Sequence, residues 1–163
     1  MSRKRIFRTL LILIIVIGNI GCDQVTKTIV RNNIGEREVI SLGKHFLLTK
    51  VENTGAFLSL GDSLSEFTRT LLLSALPVLL LALGFYYLVT NKNISKTKLI
   101  GFSFVIGGGL GNIFDRIVHG SVTDFMHINF KFFQTGIFNM ADVSIVFGVL
   151  IAIAATFLSG DGK

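Results

Sequence analysis

Four stretches of this 163-residue chain are each about as long as a bilayer is thick and almost free of charge, and they constrain the fold more than any other feature. A helix needs ~20 largely apolar residues, at a rise of ~1.5 Å each, to cross ~30 Å of hydrocarbon. The run IFRTLLILIIVIGNIGC carries one charge and predicts a first helix over residues 7–26. TLLLSALPVLLLALGFYYLV carries none. It holds Pro77, the chain's one proline, and predicts a second, kinked helix over residues 69–90 with Tyr86 and Tyr87 at an interface. A glycine-rich run predicts the third over 98–117, and an apolar run interrupted by Asn139 and Asp142 predicts the fourth over 138–158.

Only 16% of residues are charged, against ~25% in a typical soluble domain. The net charge of +6 raises nucleic acid as a partner, but the basic residues are not gathered among aromatics on one polar segment, so none is expected. They flank the apolar runs instead. Arg3, Lys4, Arg5 and Arg8 precede the first, Lys92, Lys96 and Lys98 fill the connection after the second, and Lys163 ends the chain. These short segments, and both termini, are expected on the cytoplasmic side of the membrane, with residues 27–68 and 118–137 outside. In the first outer segment, EREVISLGKHFLLTKVENTGAFLSL mixes alternating apolar residues with turn formers and predicts two or three short strands. The expected fold is a single all-α integral membrane domain over 1–163, with four transmembrane helices and a small extracytoplasmic β-sheet cap. The lone cysteine, Cys22, excludes an internal disulfide and reads as a small buried hydrophobe.

In such a chain the informative groups are ionisable ones inside or at the rim of the spans, because each is costly there unless paired or in a watery cavity. They are Asp23, Lys27, Asp115, Arg116, Asp124 and Asp142, and the topology above sends all of them to the outer face. Asp23 and Lys27 are four apart, Asn112 and Arg116 four apart, and Asn139 and Asp142 three apart, so each pair shares a helix face that should point into the bundle. Gly107, Gly108, Gly109 and Gly111 allow helices to approach closely beside them. An interfacial ion pair would equally account for Asp23 with Lys27, and a headgroup-anchored helix end for Asn112 with Arg116.

His45, His119 and His127 fall in outer loops with no nucleophile motif, and there is no H-E-x-x-H, so paired carboxylates remain. Two carboxyl groups in a partly desolvated site share a proton, one acting as base on a water molecule. Asp124 in VTDFMHINF and Asp142 in FNMADVSIVF have apolar surroundings suited to that, whereas Lys27 and Arg116 should hold Asp23 and Asp115 ionised. The dyad needs only water, and no cluster has ligand spacing, so no metal and no cofactor are expected.

The blocks DQVTK (23–27), ENTGAF (52–57), GGGLGNIFDR (107–116), VTDF (122–125) and FNMAD (138–142) resemble, in order and over nearly the whole chain, the lipoprotein signal peptidases, also called signal peptidase II. One departure is Phe57, where many members carry a second alanine. The resemblance implies an aspartyl endopeptidase with catalytic Asp124 and Asp142. It implies that Asn53, Gly55, Asn112, Arg116 and Asn139 bind substrate or hold the dyad, with Asp23, Lys27 and Asp115 in support. It implies as substrate a prolipoprotein whose lipobox cysteine already carries diacylglycerol, cut just before that cysteine. Membrane lipids are the surrounding partner, and the chain is expected to act as a monomer. Two other readings compete. Residues 1–22 also look like a lipoprotein signal that would anchor the chain through Cys22, and a transporter or proton channel could use intramembrane aspartates.

Overall fold

The computed structural model describes residues 3–36, 38–55, 64–130 and 132–158. The first apolar run forms α1 (Arg3–Asn33), which continues beyond Thr26 into residues expected to be outer loop. It does so because Lys27, Val30 and Ile34, spaced three and four apart, keep burying one face of the helix. Cys22 does not behave as expected: it lies on the exposed side of α1, since the buried stripe passes through Asp23 and Lys27 instead.

The second run folds as α2 (Glu66–Thr70), a π-helical segment (Leu71–Ala75) and α3 (Leu76–Thr90). Ser65 caps its start, accepting a hydrogen bond from the Thr68 amide. Pro77 sits in the first turn of α3. It lacks an N–H and crowds the carbonyl four residues back, and here the distortion takes the form of the widened turn just before it. Then come α4 (Lys96–His119), ended by Gly120 in left-handed geometry at φ 75°, and α5 (Met140–Leu158).

α1, residues 66–90, α4 and α5 are each long and apolar enough to cross a membrane. Their outward faces carry Phe7, Ile14, Ile17, Tyr86, Val146 and Phe157, all more than half exposed, which suits lipid and not water. α4 is central, packing against α1, α3 and α5. Its glycines face one neighbour each. A Cβ on Gly107 would lie 2.8 Å from the Asn19 Cβ on α1, one on Gly109 would lie 2.7 Å from Leu81 on α3, and one on Gly108 would strike the Ala141 carbonyl on α5. At the other end of the bundle, Arg8 donates to the carbonyls of Leu88 and Asn91, closing the C-terminus of α3.

An antiparallel sheet of order β1-β2-β3-β4 is built from β1 (Val39–Ser41), β2 (Phe46–Asn53), β3 (Val122–Phe130) and β4 (Phe133–Gln134). Its last two strands come from residues 118–137, a segment with no clean alternation to announce them: the first five positions of β3 are all buried. Phe125 and Met126 pack on Val30 and Ile34 of α1, forming a small core apart from the bundle core of Ile12, Val16, Leu88, Leu99 and Ile106. That contact sets the sheet over one end of the bundle, beside the start of α5 and the end of α4.

Candidate active site

Where α1, α4, α5 and the sheet meet, polar side chains pack with almost no water access. Asp23 and Lys27 of α1 and Asp115 of α4 are fully buried. The Lys27 ammonium lies 2.8 Å from Asp23 and 3.0 Å from Asp115, so one cation holds two carboxylates in place. The remaining acceptors are also filled. Asp23 accepts from the Ala141 amide, and Asp115 accepts from the Gln24 side chain and the Thr123 amide and pairs with Arg31 at 3.0 Å. Asp115 thus pairs with Lys27 and Arg31, and not with Arg116 as its sequence neighbour suggested, because adjacent helix residues point along different faces.

The third proton of Lys27 goes to Asn112 Oδ1, at 3.0 Å. A lysine can only donate, so this fixes the amide of Asn112 with its Nδ2 turned away, donating to Asp142 Oδ1 at 2.9 Å. Asp142 is held a second time by the start of its own helix. Its amide donates to Asn139 Oδ1, and its Oδ2 accepts from the Asn139 amide. This is a capping box with aspartate in place of the usual glutamate, and it explains the spacing of three between the two residues. With Oδ1 so engaged, Asn139 presents Nδ2, which donates to Asp124 Oδ1 at 2.6 Å and to Asn112 Oδ1 at 3.1 Å.

Asp124 projects from β3 into this arrangement and is buried. Its Oδ2 accepts from Asn53 Nδ2 of β2 at 2.9 Å, and Asn53 Oδ1 is committed to the Gly55 amide. Burial, reinforced by the nearby Asp142, pushes the Asp124 carboxyl up to about 6, against the pull of the Asn53 and Asn139 hydrogen bonds. Arg116 donates to the Gly55 carbonyl at 2.6 Å and reaches the Thr54 carbonyl at 3.5 Å. All ten residues singled out in the sequence therefore belong to one connected set of hydrogen bonds and ion pairs. Asp124, Asp142, Asn53, Asn112, Arg116 and Asn139 border one cavity of about 250 Å³, whose apolar wall includes Leu73 and Pro77 beside the π-helical segment. Such a cavity has room for water and a segment of extended backbone, with two carboxylates on its wall.

Among the described residues, the set also takes in side chains that were not singled out: Gln24, Arg31, Glu52, Ser121 and Thr123. Arg31 had a signal, because it continues the four-residue spacing of Asp23 and Lys27. Glu52 and Thr123 meet only through strand pairing, which local spacing does not reveal. Ala56 and Phe57, the end of the ENTGAF block, lie outside the described residues. Cys22 lies within an unbroken α1 that carries Asp23 and Lys27 directly into the network.

A family model described as Signal peptidase (SPase) II matches residues 12–158. The lipoprotein signal peptidase of Wigglesworthia glossinidia brevipalpis is 37% identical, covering 86% of this chain and 90% of that protein. The one from Clostridium acetobutylicum is 32% identical, covering 93% and 96%. Two solved structures, each titled a bacterial membrane enzyme, superpose with TM-scores of 0.81 and 0.75 at 25% and 26% identity. They cover 93% and 89% of this chain, and this chain covers 91% of each. Four helices able to cross a membrane and matches over nearly the whole length lead to one conclusion: the chain belongs to the signal peptidase II family, as a multi-pass aspartic peptidase of the bacterial membrane.

Proposed function

We propose that Asp124 and Asp142 are the catalytic pair and that they cut diacylglyceryl-modified prolipoproteins just before the lipidated cysteine. The observation that carries this reading is the joining of the two carboxylates, from different elements, through the amides of Asn139 and Asn112 on the wall of one cavity. Asp124, with its carboxyl near 6, carries the proton that polarises the scissile carbonyl, and Asp142 takes a proton from the attacking water. The roles then exchange, so that the proton on Asp142 passes to the leaving amine and the pair returns to its starting state. Arg116, Asn53 and Gly55 line the substrate backbone, with one guanidinium fixing the carbonyls of Thr54 and Gly55 that an extended chain would pass.

The site and the sheet lie on the outer side, with both termini cytoplasmic, and the chain acts as a monomer surrounded by membrane lipid. A lipid on the substrate cysteine holds the scissile bond at the membrane surface, so partition into the bilayer supplies part of the positioning. The test is digestion of one prolipoprotein, with and without its diacylglyceryl group, by the purified chain in detergent, followed by mass spectrometry of the fragments. The expected product begins at the lipidated cysteine and forms only from the modified substrate. Equal cutting of the unmodified form, or a cut elsewhere, would sink this reading.

A further inference from the structure

The ladder between β2 and β3 is broken just before it reaches the site. Leu48 faces Met126, but three residues further along β2 Val51 faces Asp124, only two residues back along β3, so β2 carries one extra residue. The amides of Phe125 and Met126 both donate to the Phe138 carbonyl, at 3.0 and 2.8 Å. Beyond this bulge only Val51, Glu52 and Asn53 pair with Asp124, Thr123 and Val122. A slip of one residue there would turn Asn53 to the opposite face, away from Asp124.

Side chains secure what the backbone leaves weak. Glu52 stands opposite Thr123 and accepts from its hydroxyl at 2.8 Å, and also from the Ser121 hydroxyl at 2.5 Å. Arg31 Nε donates to the same Thr123 hydroxyl at 2.8 Å, while its guanidinium pairs with Asp115. The Thr123 amide donates to Asp115 as well, at 3.3 Å. Thr123, fully buried and adjacent to Asp124, is therefore held from α1, α4 and β2 at once. We propose that Arg31, Glu52 and Thr123 form a register clamp, a set of positioning residues that keeps Asp124 and Asn53 aligned with Asp142. The proposal rests on the reading of Asp124 as catalytic.

The experiment compares steady-state cleavage of a diacylglyceryl-modified prolipoprotein by the full chain in detergent for wild type, Thr123→Val, Thr123→Ser and Glu52→Gln. Wild-type cleavage tests the function itself, and the variants measured against it test the clamp. Thr123→Val keeps the shape and removes the hydroxyl, so kcat should fall about 10- to 100-fold, as for a small misplacement of a reacting group, with KM nearly unchanged. Its kcat should also follow a shifted pH profile, because moving Asp124 changes its coupling to Asp142. Thr123→Ser restores the hydroxyl and should restore kcat. Glu52→Gln, which loses one of two acceptors, should lower kcat about 5-fold in wild type and add nothing in Thr123→Val. A Thr123→Val kcat within about 2-fold of wild type overturns the clamp on the scale of that expected loss, and so does an equal loss in Thr123→Ser. If Thr123→Val does not purify folded, Glu52→Gln decides alone: an unchanged kcat overturns the clamp, and a loss confined to kcat supports it.

Discussion

At the scale of single residues, the site depends on amides whose orientation is dictated from one side so that their donors face a carboxylate on the other. Lys27 sets Asn112, and the capping box sets Asn139. This environment perturbs Asp124: its carboxyl is raised to about 6 from an unfolded value of 3.8, chiefly by burial. The folded state therefore binds this proton more tightly, and the stability it adds is present below about pH 4 and lost as pH rises through about 6. Across that window wild type should lose on the order of 1–3 kcal/mol that Asp124→Asn does not, read as melting temperature against pH. Absolute stability of the variant is a separate matter, since the amide nitrogen that replaces one Asp124 oxygen would face one of two committed donors, Asn53 or Asn139. In activity, kcat/KM should fall on the alkaline side with an apparent value near 6 that belongs to the pair. A profile flat from about pH 5 to 8 would contradict a shared proton.

At the scale of elements, α1 does more than cross the membrane: its last turns carry the cation that holds α4 and α5 in register. Lys27→Met would leave Asp23 buried without a counter-charge and Asp115 with Arg31 alone, at a cost of about 3–5 kcal/mol, and Asp23→Asn in the same chain should recover part of it. Thermal unfolding of the two variants in detergent checks this. Gly111→Ala should cost about 1–3 kcal/mol, because its Cβ would lie 2.7 Å from Asp23 Oδ2 and push that carboxylate off Lys27. The helices and their polar faces were legible in the sequence, because charge-free length and three- or four-residue spacing are local signals, as Asp23 with Lys27 and Asn139 with Asp142 illustrate. The strand bearing Asp124 was not, since β3 is buried without alternation and finds its partner about seventy residues earlier across a bulge. The partners of Asp115 were hidden for the same reason: Lys27 and Arg31 arrive from another helix, while the cation beside it in sequence points elsewhere.

For the whole molecule, the buried charged side chains among the described residues, Asp23, Lys27, Asp115 and Asp124, lie together at one end of the bundle, the end that carries the sheet. In a Cys22→Ala background, a cysteine replacing the exposed Lys44 should react with an impermeant reagent added to intact cells. One replacing the exposed Lys92 should react only after permeabilisation, and the reverse pattern would invert the topology. The bilayer then delivers a lipidated chain to the depth of the cavity, and the protein supplies only alignment and a proton pair. The most direct test of that account is cleavage of a diacylglyceryl-modified prolipoprotein by Asp124→Asn and Asp142→Asn, each shown to be inserted and folded. Each should lose at least about 100-fold in kcat, because an amide is neither the acid nor the base, while Asp23→Asn keeps measurable turnover. Near-normal cleavage by Asp124→Asn, with activity abolished instead in Asp115→Asn or Asp23→Asn, would show that the reaction runs on other carboxylates.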